Sequence, residues 1–249
     1  MIKKIASQLH WQSNSLTDFQ ALGNDELHIW HLKLQLNESQ ANSAQHLLSD
    51  IQRDKYHRRS SPYLKQQYLA GRYYLLTLLG AYTNQEPEEV LLSYSRLNKP
   101  SLSNENLNIE FNFTDTDGHG MFAFSRKRQV GVDIECLDRD INFSAIAQRR
   151  FTQQELDFVM PKNQIDHQRC LAIWTRKEAY GKATGQGINF KMNQRNRYEE
   201  SANSQAYCFT DEQNLAWTCR QISIGNKYIA SVVHEGHEDL NIKAFDRLS

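Results

Sequence analysis

The chain of 249 residues has no surplus of either charge: 29 Lys and Arg stand against 29 Asp and Glu. A protein whose main work is neutralising phosphates along a nucleic acid needs a basic surplus, so that class is set aside. The one basic cluster, Arg53, Lys55, Arg58 and Arg59, is diluted by Asp50 and Asp54 on the same helical stretch. No apolar run approaches the roughly 18 residues that span a bilayer. Met1–Ser15 carries two lysines but no apolar core of a secretory signal. The expectation is a soluble, cytoplasmic protein with no membrane and no nucleic-acid partner. Cys136, Cys170, Cys208 and Cys219 are scattered and form no CxxC pair, which fits neither a disulfide framework nor a zinc site; reduced thiols are expected. The histidines form no HxH or HxxxH ligand set, only the loose pair His234 and His237. No linker rich in Pro, Gly or Ser and no residue-level repeat marks a boundary. What the chain does have is 39% hydrophobic and 10% aromatic residues, enough to bury a core.

At this length one large domain or two smaller ones fit. Residues 1–24 are polar and aperiodic and read as a loosely attached N-terminal extension. Leu27–Leu34 is the first strand-like stretch. A polar helical stretch from Asn42 to Arg59 precedes Ser60-Ser61-Pro62, a helix start, after which Leu64, Tyr68, Tyr73, Leu75, Leu76 and Leu79 keep helical spacing to Gly80. Leu107, Ile109, Phe111 and Phe113 alternate with polar residues as in a strand with one buried face. Asp117-Gly118 offers a hairpin turn into Met121–Phe124, and a further turn at Ser125–Arg128 leads into Gln129–Glu135, predicting three antiparallel strands. Helices are expected near 143–160 and 166–184, then strands near 206–209, 216–224, 228–233 and 242–245, with Gly225-Asn226 as a turn. The class is α+β, divided into an N-terminal half over 25–126 and a C-terminal half over 127–249.

Two segments carry chemistry. In Val130-Gly131-Val132-Asp133-Ile134-Glu135 the strand period puts Asp133 and Glu135 on one face, beside a glycine that leaves room. Paired carboxylates suit a hard divalent cation such as magnesium, although an isolated DxE is more often the polar face of a half-exposed strand. The second segment runs Trp174-Thr175-Arg176-Lys177-Glu178-Ala179-Tyr180-Gly181-Lys182, with Gly185 and Gly187 as stops. On a helix Trp174, Glu178 and Lys182 lie along one stripe with Lys177 flanking it. Alone it is an ordinary amphipathic helix with a minor Glu-to-Lys pair. Together, Glu178 completes a carboxylate trio for a metal, and Lys177 and Lys182 supply cations for a phosphorylated substrate.

GVDIE followed by WTRKEAYGKATGQGI resembles the signature pair of the Sfp-type 4′-phosphopantetheinyl transferases, in the branch with a W-x-x-K-E-A motif. Leu48–Arg58, Ala70-Gly71-Arg72, Lys99-Pro100, Phe111–Thr114 and Arg149–Glu155 fall in that family's order at about its spacing. The resemblance implies two similar α+β halves packed side by side, with coenzyme A between them. It implies transfer of phosphopantetheine from coenzyme A to a serine of an apo acyl or peptidyl carrier protein, whose hydroxyl attacks the β-phosphorus and releases adenosine 3′,5′-bisphosphate. Position by position, it makes Asp133, Glu135 and Glu178 the magnesium carboxylates and Lys182 a phosphate contact. Lys55, Arg72, Lys99, Thr114 and Lys177 join Lys182 as cofactor-binding residues. Glu178, Lys182 and Glu155 are the candidates for catalysis, with Glu155 or Glu178 accepting the serine proton.

The chain departs from the pattern at Asp115, where the family has a histidine after its serine, here Thr114. A carboxylate against a pyrophosphate is repelled unless a cation or solvent intervenes, so capping of the Asp117-Gly118 turn is the favoured reading of Asp115. Glu155 also has a structural reading, because Thr152-Gln153-Gln154-Glu155 is a capping box. Arg176, Lys191, Arg195 and Arg197 are candidates to meet an acidic carrier. Alternatives are a non-catalytic coenzyme A or carrier-binding homologue, or another magnesium-dependent phosphotransfer enzyme; a monomer is the simplest expectation.

Overall fold

A computed structural model describes residues 9–13, 20–139, 142–187, 206–237 and 240–247. In chain order its elements are β1 (Trp11–Ser13), β2 (Glu26–Lys33), α1 (Glu38–Leu47), α2 (Asp50–His57), α3 (Pro62–Thr83), β3 (Leu92–Tyr94), β4 (Pro100–Leu102), β5 (Ile109–Thr116), β6 (His119–Arg126) and β7 (Val130–Cys136). There follow α4 (Phe143–Arg150), α5 (Gln153–Val159), α6 (His167–Ala183), β8 (Ala206–Thr210), β9 (Ala216–Ile224), β10 (Tyr228–Glu235) and β11 (Asn241–Arg247). The α+β class holds.

Two sheets lie back to back. One has the order β1-β11-β2-β6-β5, the other β7-β10-β9-β8, and β3 pairs with β4 in a small ribbon. Strand alternation explains the stacking. Leu27 and Ile29 of β2, with Met121 and Ala123 of β6, pack against Val130, Val132 and Ile134 of β7 and Ala230 and Val232 of β10. From the other face of the first sheet, Trp30, Leu32, Phe111, Phe122 and Phe124 pack on Tyr74, Leu75, Leu78 and Leu79 of α3. Ala179, Tyr180 and Ala183 of α6 cover the second sheet at Trp217, Cys219 and Val233. The layers therefore run α3, sheet, sheet, α6.

Local signals account for most boundaries. Ser61 caps α3, its hydroxyl accepting from the Leu64 amide, and Pro62 occupies the first turn, where its missing N–H costs nothing. The helix passes Gly80 and stops at Asn84, which takes the left-handed conformation. The polar stretch 42–59 is two helices rather than one: at Leu48-Ser49 the chain turns extended and Ser49 starts α2 with a reciprocal capping box to Gln52. Asp117 and Gly118, both at positive φ, form the two-residue turn between β5 and β6.

The expected three-stranded meander does not form. β5 and β6 pair, but the chain leaves their sheet at Lys127, which has φ 57°, and β7 opens the second sheet against β10. Both faces of β7 are buried, one on the first sheet and one under α6, so it cannot be the half-exposed third strand of a meander. β11 crosses back to lie parallel to β2 in the first sheet, where β1 pairs with it in turn. Trp11–Ser13, expected in a loose extension, are thus an edge strand of that sheet.

Candidate active site

β7 and α6 lie in contact because Gly131 has no side chain. A Cβ there would fall inside van der Waals distance of Ala179 O and of the Ala183 backbone. This approach brings the stripe of α6 over the carboxylate face of β7. At one end Lys182 Nζ donates to Asp133 Oδ1 at 2.7 Å and to Thr114 Oγ1 at 2.8 Å, and Thr114 Oγ1 donates to Asp133 Oδ1 at 3.2 Å. At the other end Trp174 Nε1 donates to Glu135 Oε1 at 3.1 Å. Glu178 lies between them on the helix. β5 is fixed to β7 here by the Val132 amide, which donates to Asn112 Oδ1 at 3.0 Å.

The site is short of donors. Asp133 Oδ2 and Glu178 Oε1 are buried with no hydrogen-bond partner, an expensive arrangement for carboxylates. Burial pushes the Asp133 carboxyl up to about 6, with Lys182 pulling it down and the charge of Glu135 adding to the rise. Burial pushes Glu178 up to about 8, reinforced by Asp133 and Glu135 and opposed by Lys182 and Arg150. Two orphaned, buried carboxylate oxygens are what a hard dication would satisfy, so the donor set fits magnesium. Among the described residues no three His, Cys, Asp or Glu side chains already converge as a ligand cage.

Glu155 and Lys177 pair with each other. The Glu155 capping box is present: its Oε2 accepts from the Thr152 amide at 2.8 Å, and its own amide donates to Thr152 Oγ1 at 3.2 Å. The same carboxylate meets Lys177 Nζ at 2.7 Å, with both side chains essentially without solvent access. A buried pair holds its charges on each other. The two are a brace between α5 and α6.

Residues 129–233 match the model of the 4′-phosphopantetheinyl transferase superfamily, a span that runs from the start of β7 through α6 into β10. Over 168 residues the chain is 31% identical to the 4′-phosphopantetheinyl transferase HetI of Nostoc sp. (strain PCC 7120), covering 66% of this chain and 71% of that protein. The chain belongs to the 4′-phosphopantetheinyl transferases. It is also 29% identical over 152 residues to slr0495 of Synechocystis sp. (strain PCC 6803), which bears the name of a candidate 4′-phosphopantetheinyl transferase; that match covers 60% of this chain and 62% of the relative.

The other residues singled out from the sequence are spread over several elements of this transferase. Lys99 Nζ donates to Ala183 O at 2.5 Å and to Gln129 Oε1 at 2.8 Å, so it caps the negative end of α6 from the β3–β4 ribbon. Burial lowers its pKa, while Glu110 and Glu235 oppose the shift. The Arg72 guanidinium lies 5.4 Å from the Tyr68 ring and 5.0 Å from the Phe113 ring, and its Nε and Nη1 are buried without partners. Lys55 is exposed on α2 and lies 6.0 Å from the Tyr94 ring. Arg176 is buried: its guanidinium donates to Gln221 Oε1 at 2.9 Å and lies over Tyr207, so it does not face a carrier. Lys191, Arg195 and Arg197 lie outside the described residues.

Asp115 is on the face of β5 opposite Thr114, the face that carries Phe113 toward Arg72. Its carboxyl is raised by burial and held down by the charges of Lys182, Arg59 and Arg72. Sequence reasoning passed over Arg59 in this setting. It also missed Arg139, whose Nη1 donates to Glu135 Oε2 at 2.7 Å. Arg139 belongs to no motif; its place four residues beyond Glu135 was the sole clue.

Proposed function

We propose that this transferase moves the 4′-phosphopantetheine of coenzyme A to a serine hydroxyl of an apo acyl or peptidyl carrier protein, with a magnesium ion held at Asp133 and Glu178. The observation that carries the reading is the pair of buried, unpartnered oxygens, Asp133 Oδ2 and Glu178 Oε1, beside the Lys182 ammonium. A bound magnesium ion supplies charge neutralisation and orientation for a pyrophosphate.

The chain's own residues do the rest. Lys182 already bridges Asp133 and Thr114, so its ammonium is available to charge growing on the leaving adenosine 3′,5′-bisphosphate. The Thr114 hydroxyl donates to a phosphate oxygen where it now donates to Asp133. Arg72, with two unused donors, adds positive charge on the α3 side. Glu178 takes the serine proton as the serine oxygen bonds to the β-phosphorus and the bridging P–O bond of coenzyme A breaks. Burial pushes Glu178 up to about 8 in the metal-free protein, and a dication held beside it would favour the ionised form that can accept the proton. Glu155, locked to Lys177 and its own helix cap, is a brace and takes no part in proton transfer.

The test is incubation with coenzyme A, magnesium chloride and a panel of apo fatty-acid, polyketide and peptide-synthetase carriers, read by intact mass. The expected result is a gain of one phosphopantetheine on at least one carrier. No gain on any member sinks the reading.

A further inference from the structure

The apolar seam between the two sheets ends in a pair of imidazoles. The strand period puts His31 of β2 on the face of Leu27 and Ile29, and His119 of β6 on the face of Met121 and Ala123, so both rings enter the seam. His119 Nδ1 and His31 Nε2 face each other at 3.1 Å. His31 is 1% exposed and its Nδ1 is buried with no hydrogen-bond partner, whereas His119 is only partly buried. Trp11 of β1 meets the His31 ring edge-on at 5.8 Å between centroids, and the Tyr228 ring of β10 lies 4.7 Å from that of His119. The adjoining turns are tied too: Asp117 Oδ2 accepts from Lys227 Nζ at 3.0 Å and from Tyr228 Oη at 3.4 Å.

The unpartnered Nδ1 decides which protonation states the pair can hold. One arrangement, with both rings neutral and His31 Nε2–H donating to His119 Nδ1, leaves His31 Nδ1 bare. Every other closed arrangement puts a hydrogen there. If His119 is the donor, neutral or charged, His31 must carry its own proton on Nδ1; if His31 is charged, both of its nitrogens carry one. A buried N–H without an acceptor, polarised by an added charge, is costly, so the closed pair resists its first proton. Burial lowers the His119 pKa most, Lys227 and Lys33 add to the drop, and Asp117 opposes it. The other titratable groups lining this end of the seam are Tyr228, whose ionisation burial pushes up, and the Cys136 thiol.

We propose that His31 and His119 form an acid-release latch between the sheets, closed while both rings are neutral and opened by a proton on His119, which frees the β5–β6 turn from Tyr228 and the start of β10. A released histidine titrates near 6.5, so opening grows as pH falls below that value. Thr114 lies on β5 just before this turn, so the latch backs the strand that sets Thr114 against Asp133.

Two measurements on the full chain test it. Long-range 15N–1H spectra of the histidines at about pH 7.5 should show His31 protonated on Nε2 and bare on Nδ1; a proton on His31 Nδ1 overturns the proposal, and this readout needs no variant. The second uses the Leu34 amide, which donates to Gly118 O at 2.8 Å and so reports on the turn. Its opening equilibrium, from hydrogen exchange corrected for the intrinsic rate, should rise by about 5-fold or more from about pH 7 to about pH 5. In His119→Gln, which keeps a polar side chain but takes no proton, the rise should be no more than about 2-fold, with a melting curve confirming that the variant is folded. The Val132 amide, bonded to Asn112 between β7 and β5, should stay within about 2-fold over the same range. A smaller rise at Leu34 in the wild type, an equal rise in His119→Gln, or an equal rise at Val132 overturns the latch.

Discussion

Two clusters of buried polar groups sit on different layers of this transferase and are treated in opposite ways. In the first sheet, Trp30 Nε1 donates to Tyr82 Oη at 2.9 Å, Tyr82 Oη pairs with His28 Nδ1 at 2.8 Å, His28 Nε2 meets Glu26 at 3.2 Å, and Glu26 meets Lys243 at 2.6 Å. The chain of partners runs from α3 through β2 to β11 and holds the returning strand in place. Where β7 meets α6, Lys182 and Thr114 both serve one oxygen of Asp133, while its second oxygen and Glu178 Oε1 go without. A connected network stabilises; an under-partnered one costs stability and is kept where a ligand completes it. On the proposed function, the contrast separates groups that hold the fold from groups left for substrate and a cation.

The sharpest way to break that contrast is Asp133→Asn. Transfer should fall by about 1,000-fold or more, the equivalent of about 4 kcal/mol of transition-state stabilisation, because a cation ligand and the partner of Lys182 are lost together. The metal-free protein should nevertheless melt no lower than wild type, since a buried, half-partnered carboxylate has been made neutral. Tyr82→Phe should do the reverse. It leaves Trp30 Nε1 without its acceptor and should cost about 1–3 kcal/mol in urea unfolding, with turnover per folded molecule unchanged. If Asp133→Asn instead unfolds the chain, its carboxylate is structural and the distinction fails.

The pH dependence of stability should divide along the same line. Burial holds His28 down to about 4, against the pull of Glu26 and with Lys243 adding to the drop, and burial with the neighbouring His119 holds His31 down to about 4. An unfolded histidine titrates near 6.5, so between about 6.5 and 4 the unfolded state binds more protons and stability falls as acid is added. Each histidine contributes at most about 3 kcal/mol, fully present above 6.5 and lost by about 4. Asp133 and Glu178 work in the opposite sense. Their carboxyls are raised to about 6 and about 8, so the folded state binds more protons and metal-free stability falls as pH rises from about 4 toward 8. Magnesium should lift the alkaline limb of a melting-temperature profile and leave the acid limb where it was. A uniform lift across the whole range would mean that the cation acts somewhere other than these carboxylates.

What was legible in the sequence follows the same division. Periodicity and caps located α3, α6 and the strands of both sheets except β1, but not the β3–β4 ribbon or the breaks that divide 42–59 and 143–160 into two helices each; the strand and helix periods put Asp133, Glu135, Glu178 and Lys182 on facing stripes, because side-chain direction is a local property. The sheet switch at Lys127 and the return of β11 to lie beside β2 were not legible, since strand order is decided by which apolar faces meet across long separations. The fates of charges were only half legible. Glu155 announced its capping box, but its pairing with Lys177 depends on how α5 leans on α6. Arg176 reads as a surface arginine until Gln221 and Tyr207 are seen to enclose it. Lys99 reads as a cofactor-binding lysine, and its sequence gives no hint that its ammonium donates to the end of α6.

Asp115 offers the finest adjustment of the contrast, because this carboxylate of the cleft region faces an excess of positive charge. Burial raises its carboxyl against the pull of Lys182, Arg59 and Arg72, and the strand period turns it away from the Thr114–Asp133 side. Its negative charge therefore offsets part of the field that the three cations would present to phosphates. Asp115→Asn keeps the shape and removes the charge, and should lower the KM for coenzyme A by about 2- to 5-fold while turnover stays nearly unchanged, the size expected of one partly solvated charge. Steady-state kinetics at two ionic strengths checks it, since a field effect shrinks as salt is raised. If turnover instead drops by about an order of magnitude or more, Asp115 touches the reacting groups, and the region of under-partnered carboxylates extends across both faces of β5.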